Sequence, residues 1–279
     1  MILLNPNRVM RWFGRNLYFR PGASLNYPFA VNGSLSGLGP ALTFTRASSQ
    51  TYFDSTGTLQ SATTNVAAFD YNPTTLAPLG LSMWEARTNS IRNNTMVGAV
   101  AGTPGTAPTN WVFTIPAGIT QTISNVTTTN GISTFDVRFS GTTGSAAGIQ
   151  IKFDGNAGAI TGAVAAQSWN QSAWVALIAG ALTNISGQRL IINEYSAGPT
   201  YLRTSVCATS VLAAGATLTR VNGTVVLGAS TTILEPILIL DASSGVAIDI
   251  TLRIGLPQLE LGAFATPVIS TSAAAATRA

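Results

Sequence analysis

The sequence predicts an all-β protein: an antiparallel two-sheet β-sandwich, jelly-roll-like, behind an extended N-terminal arm. Three observations carry this prediction. Roughly ten short segments rich in β-branched residues follow one another over residues 97–268, each bounded by Gly, Asn, Ser or Pro. Phe135-Asp-Val-Arg-Phe and Ala247-Ile-Asp-Ile-Thr-Leu-Arg-Ile alternate apolar and polar residues, as half-buried strands do. No helical periodicity extends beyond two turns, and a run of many short strands without helices points to a sandwich.

The arm comes first. Residues 1–20 contain Arg8, Arg11, Arg15 and Arg20 and no acid, so they hold the whole +4 excess of the 279-residue chain. The other ten basic residues are matched by ten acidic ones. Trp12, Phe13, Tyr18 and Phe19 lie between the arginines. Arginine interleaved with aromatic rings is the composition of a binding anchor, because each side chain joins large contact area to directed hydrogen bonds. Docking to another protein is the favoured role. A strand packed into the protein's own core is one alternative. Nucleic-acid contact is another, weakened because nothing beyond the arm is basic. Pro21-Gly22, Asn32-Gly33, Gly37 and Gly39-Pro40 then mark an irregular linker, completing a docking segment over residues 1–40.

Residues 41–96 read as a compact module of short strands and turns. Ala41-Leu-Thr-Phe-Thr-Arg alternates, Asp54-Ser-Thr-Gly57 is a turn, and Phe69-Asp-Tyr-Asn-Pro leads into another. The sandwich strands follow: Trp111–Ile115, Gln121–Thr128, Ser133–Ser140, Gly148–Phe153, Trp174–Ala181, Arg189–Tyr195, Leu202–Ala208, Thr217–Leu227, Ile233–Leu240 and Val246–Ile254. Apart from Glu235 and Pro236, Ile233–Leu240 is wholly apolar and is expected to be covered on both faces. Pro236 within it predicts an edge position or a bulge. Residues 269–279 read as a C-terminal tail, with Ser272–Ala276 able to form one turn of helix.

Composition excludes several chemistries. There is no histidine, which removes Ser-His-Asp triads, Cys-His dyads and His-ligated zinc. The one cysteine, Cys207, removes internal disulfides and reads as a buried structural thiol. No apolar stretch approaches the ~18 residues of a membrane span, so no membrane insertion is expected. The N-terminal order, apolar before basic, is not that of a secretory signal. Only 9% of residues are charged against 46% hydrophobic, which suits a surface packed in an assembly.

No local motif pairs the ten acids for glycoside hydrolysis, and an enzyme is not expected. Asp154-Gly-Asn-Ala-Gly and Asp241-Ala-Ser-Ser-Gly are turns rather than calcium loops, which need more oxygen ligands. Neither a metal nor a cofactor is implied. Trp111, Trp169, Tyr195 and Tyr201 would supply a sugar-stacking platform if exposed; packing in the core is the favoured alternative.

Three strings are distinctive: Leu42-Thr-Phe-Thr-Arg-Ala-Ser-Ser-Gln-Thr-Tyr-Phe-Asp-Ser-Thr-Gly-Thr-Leu-Gln, Gly80-Leu-Ser-Met-Trp-Glu-Ala-Arg-Thr-Asn, and Pro257-Gln-Leu-Glu-Leu-Gly-Ala-Phe-Ala-Thr. Together with Phe69-Asp-Tyr-Asn-Pro they resemble the head-spike or head-fibre domain family of tailed phages, a module shared with tail fibres. The resemblance covers roughly residues 41–268. It implies a non-enzymatic virion structural protein on the particle surface, often a homotrimer, and carries no catalytic residues. A capsid-decorating or head-fibre role docked by the arm is the leading expectation, with other virion proteins as partners. A tail-fibre or spike adhesin binding host surface polysaccharide is the alternative. Arg46, Asp54, Glu85 and Arg87 lie in the signature and are expected to form an ion-pair network that fixes the module.

Overall fold

A computed structural model describes residues 43–146, 148–155, 159–213, 215 and 217–279, and the backbone alone of residues 10–12 and 15–17. The chain divides into two compact units, residues 1–85 with 279, and residues 86–278.

The first unit is made of antiparallel ribbons. Strand β1 (Met10–Trp12) pairs with β2 (Arg15–Leu17), β3 (Gln50–Phe53) with β4 (Leu59–Ala62), and β5 (Phe69–Tyr71) with β6 (Pro78–Leu81). Asp54 closes the β3–β4 turn: its carboxylate accepts from the Thr56 and Thr58 amides at 2.9 and 3.1 Å and from the Gln60 amide at 2.9 Å. Gly57 completes that turn with φ of 77°, and a Cβ there would lie 2.7 Å from the Pro73 carbonyl oxygen. Ala62 and Ala68 are the buried apolar residues among those described in this unit.

The second unit is the sandwich. Its strands are β7 (Arg87–Asn89), β8 (Val112–Thr114), β9 (Ile119–Thr129), β10 (Ile132–Thr142), β11 (Ile149–Lys152), β12 (Ile160–Thr161), β13 (Ser168–Gly180), β14 (Ile185–Tyr195), β15 (Tyr201–Thr209), β16 (Thr219–Val226), β17 (Ile233–Ala242), β18 (Ala247–Leu261) and β19 (Ala276–Arg278). One sheet runs β16-β13-β18-β10-β9 and the other β15-β14-β17-β11-β8, with β12 also on β17. All ten predicted sandwich strands are present, and the antiparallel two-sheet architecture is as expected. Asn130 and Gly131, both at positive φ, make the two-residue turn between β9 and β10, the geometry that matches strand twist.

Alternate residues of both sheets meet in one core that includes Phe135, Val137, Phe139, Ile151, Leu190, Leu238 and Leu252. The edge strands β15 and β16 close one side: Arg203 donates to the Val226 carbonyl at 2.8 Å. Gly223 permits that approach, since a Cβ there would sit 1.8 Å from the Cys207 carbonyl oxygen.

Two expectations are corrected. Pro236 is in neither an edge strand nor a bulge: β17 is interior, and Pro236 pairs with Ile192 in register. Its carbonyl accepts from the Phe153 amide. The missing N–H faces the same side, toward Phe153, and the ladder stops there, between Lys152 of β11 and Ile160 of β12, so the proline sits at the end of a ladder and not within one. Residues 276–278 form a strand, not a helical turn or a free tail. They pair with β7, and buried amides pin the approach: Asn94 donates to the Ile269 carbonyl at 3.0 Å and accepts from the Thr271 amide at 2.8 Å.

Candidate functional site

The outward face of the six-stranded sheet concentrates the chemistry. Along β17, Leu234, Leu238 and Leu240 point into the core, so Glu235, Ile237, Ile239 and Asp241 point outward. Ile191, Ile237 and Ile239 form a separate apolar cluster on that outward side. The strand is therefore covered on both faces, as its composition suggested.

Register places further residues in rows across the strands. Thr204, Asn193 and Glu235 lie side by side; so do Val206, Ile191, Ile237, Lys152 and Val112. A third row runs Thr209, Arg189, Ile239, Gln150 and Thr114, and Tyr201 pairs with Tyr195 at one end.

Glu235 is the hub. Its buried carboxylate accepts from Lys152 Nζ at 3.0 Å, Asn193 Nδ2 at 3.1 Å and the Tyr195 hydroxyl at 2.9 Å. Thr204 donates to Asn193 Oδ1 at 2.7 Å, and the Tyr201 and Thr204 hydroxyls lie 2.9 Å apart. Burial, and secondarily the neighbouring Glu235, push the Tyr195 phenol up to about 12, so it stays a donor throughout the physiological range. The Tyr195 and Tyr201 rings meet edge-on at 5.9 Å, and Tyr201 is 54% exposed. At the other end Arg189 holds Asp241 through Nε at 3.1 Å and Nη2 at 2.7 Å. A network of this kind holds polar groups in fixed positions beside the exposed Tyr201 ring, with Glu235 and the isoleucine cluster buried beneath.

The four candidate aromatics separate. Tyr195 and Tyr201 come together on this face. Trp111 and Trp169 do not: they are 5% and 6% exposed, and neither ring face is available to a ligand. Trp111 packs edge-on against Phe153 at 4.9 Å and Phe135 at 5.6 Å, and its indole donates to the Asn93 carbonyl at 2.7 Å. Burying so large a ring in the core outweighs any surface role for it. Sequence reasoning missed Asn193, Thr204, Lys152 and Glu235 as partners. Glu235 alone in an apolar run was the available signal, because a carboxylate there must find donors.

Arg46 and Asp54 of the signature each serve a local turn. Arg46 donates to the carbonyls of Ser48, Ala62 and Thr63 at 2.7, 3.0 and 3.0 Å, while Asp54 serves its own turn. Carbonyl oxygens satisfy the guanidinium, so no carboxylate is required. Glu85 is exposed, and Arg87 lays its guanidinium 5.2 Å from the centre of the Phe264 ring. What joins two of the distinctive strings is Asn89: its side chain accepts from the Leu259 amide at 3.1 Å and donates to the Pro257 carbonyl at 3.4 Å.

Of the arm, Arg11, Trp12 and Arg15 lie in the β1–β2 hairpin, where Arg11 pairs with Asn16 and Trp12 with Arg15. Arg8, Phe13, Tyr18, Phe19 and Arg20, and the linker after them, lie outside the described residues.

The two suggested turns spend their carboxylates on arginine, Asp154 on Arg92 at 2.6 Å and Asp241 on Arg189. Among the described residues no group of three potential ligands gathers to hold a metal. The Cys207 thiol lies 3.5 Å from Gln171 Oε1, and burial pushes it up to about 12, so it stays protonated and unreactive.

No family model matches the chain, and no curated protein matches it. Solved structures with similar folds include the CBM22-1 xylan-binding domain of Paenibacillus barcinonensis Xyn10C. That match has 11% identity and a TM-score of 0.36 over 64% of this chain and 94% of that one. The enzymatically active domain of bacteriophage CBA120 tailspike protein 4 matches at 12% identity and TM-score 0.36, over 55% of this chain and 20% of that one. An arabinose-bound α-L-arabinofuranosidase, MgGH51, matches at 14% identity and TM-score 0.42 over 62% of this chain, which spans 26% of that enzyme's length. Likenesses this remote carry no conclusion about what the chain binds.

Proposed function

We propose that the chain is a non-enzymatic phage surface protein whose sandwich binds host glycans through the outward face of the six-stranded sheet. The row from Tyr201 through Thr204, Asn193 and Glu235 to Lys152 carries the reading. It joins the exposed Tyr201 ring and Thr204 to half-buried Asn193 and Lys152, which buried Glu235 holds in place. The seven acids of the sandwich support a role without catalysis. Asp136, Asp154, Glu194, Glu235, Asp241 and Asp249 each hold an arginine or lysine, and Glu260 accepts from Thr266 at 3.0 Å.

The virion setting rests on the distinctive strings. A capsid-decorating or head-fibre role, assembly as a homotrimer and docking by residues 1–40 belong to that reading, and it is compatible with glycan binding in one protein.

A polysaccharide panel in affinity electrophoresis tests the glycan reading. The intact protein is expected to be retarded by at least one polymer. Tyr201→Ala should abolish that retardation, while Trp111, buried, is no part of the surface. Retardation unchanged in Tyr201→Ala would move the site elsewhere. Release of reducing ends from any retarding polymer would overturn the non-enzymatic part.

A further inference from the structure

We infer that the ligand of this face is an uncharged polysaccharide, and that the pairing of every cation on it excludes acidic glycans. The inference rests on the glycan reading above and adds its charge class. Among the described residues the face contains two cations, and both are spent. Lys152 Nζ is 3.0 Å from Glu235, and Arg189 Nη2 is 2.7 Å from Asp241. Two acids balance two bases, each base paired to an acid in an adjacent row, so these four groups carry no net charge. A uronate or sialate carboxylate arriving here would meet no unpaired guanidinium or ammonium. It would instead lie close to Glu235 and Asp241, which repel it.

Groups suited to neutral hydroxyls remain. The Gln150 amide, half-buried in the middle of its row, has no hydrogen-bond partner among the described residues and offers both a donor and an acceptor. Thr209 and Thr114 end the same row on exposed positions, and the row crosses five strands. At the usual strand spacing that is about 19 Å, room for several sugar rings. Ile191, Ile237 and Ile239 are buried beneath and brace the strands, and the exposed apolar surface lies at the two ends of the neighbouring row, Val206 and Val112, against which the apolar side of a pyranose packs without needing a charge. Tyr201 supplies the ring at the end of the platform.

The test compares neutral polymers (arabinoxylan, β-glucan, mannan, galactan) with acidic ones (polygalacturonate, alginate, hyaluronan) in affinity electrophoresis at 50 and 500 mM NaCl. The expected result is retardation by at least one neutral polymer, changed less than twofold by salt, and by no acidic polymer. Asp241→Asn, which releases Arg189, is expected to gain retardation by an acidic polymer that 500 mM NaCl removes. Salt-sensitive binding of an acidic polymer by the unaltered protein would overturn the charge assignment and leave the glycan reading standing. Retardation by no polymer at all would overturn both. A neutral polymer whose binding survives Gln150→Ala and Tyr201→Ala together would show a neutral ligand held elsewhere, and would overturn this assignment of the face.

Discussion

Between residues 43 and 85 the apolar side chains fully withdrawn from water are Ala62 and Ala68, whereas the sandwich withdraws Phe135, Phe139, Phe153 and a full complement of Ile and Leu. Both regions are antiparallel strands joined by tight turns. They differ in what fixes them. In the module, directional hydrogen bonds do it: Arg46 on three carbonyls, Asp54 across its turn, and buried Gln50 donating to Ser82 Oγ at 2.6 Å. Its large apolar residues face water, Met83 at 73% and Leu79 at 64%. Two-stranded ribbons with so little burial are marginal alone. The sandwich is instead fixed by burial, and its polar groups are free to be placed for recognition. The comparison teaches that this chain uses two means of cohesion: one region holds its shape by hydrogen bonds, and the other by burial, which leaves its outer face available for the proposed ligand.

Removing core volume should have the largest effect. Phe139 is fully buried and lies 6.5 Å from Phe113 in an edge-on contact. Phe139→Ala is expected to cost about 3–5 kcal/mol, since the cavity cannot be refilled by neighbours held in two sheets. Urea unfolding followed by tryptophan fluorescence reads it, because Trp111, Trp169 and Trp174 report on the sandwich. A loss below about 1 kcal/mol would mean that burial does not dominate there.

Hydrogen-bond removal in the module should cost less and act locally. Gln50 is 3% exposed, and its amide donates to both Ser82 Oγ and the Ser82 carbonyl. Gln50→Ala should cost about 1–2 kcal/mol, the penalty of leaving buried partners unmet. Hydrogen exchange is the suitable readout: protection is expected to fall in residues 50–82 and to hold in β10 and β18. An equal fall in both regions would dissolve the contrast between them.

How much of this was legible beforehand follows from the same contrast. Strands such as Ser133–Ser140 announce themselves because period-2 alternation is a local property of the chain. Sheet order is not local: β18 sits between β10 and β13, and β19 pairs with β7 across most of the chain. Pro236 misled for this reason, since its tolerance depends on a gap in a neighbouring strand far away in sequence. The site was half legible. Tyr195 and Tyr201 were named from residue type, but type alone cannot separate them from Trp111 and Trp169. The difference lies in which side of a sheet each residue faces, and β17, apolar on both sides, hides that parity. Glu235 stood out in its run, yet its three donors come from two other strands.

The smallest effect expected is electrostatic and sharpens the comparison further. Hydrogen bonds from Thr56 and Gln60 are the leading causes that hold the Asp54 carboxyl well below its ordinary 3.8, at about 2. A carboxylate with a depressed folded pKa contributes stability that is fully present above its unfolded pKa. That contribution disappears as pH falls through the folded value. The window for Asp54 is therefore about pH 4 down to about pH 2. Asp54 is close to solvent, so screening reduces what it is worth, and Asp54→Asn should cost about 0.5–1 kcal/mol at neutral pH. Because Asn does not titrate, the difference between the two proteins should shrink as the pH drops from 4 to 2. Limited proteolysis of the module across that range reads the change without contribution from the sandwich core. A constant difference between the two proteins over the whole range would mean that the turn is held by its backbone bonds and Gly57, and that hydrogen bonds to this carboxylate do not fix the module.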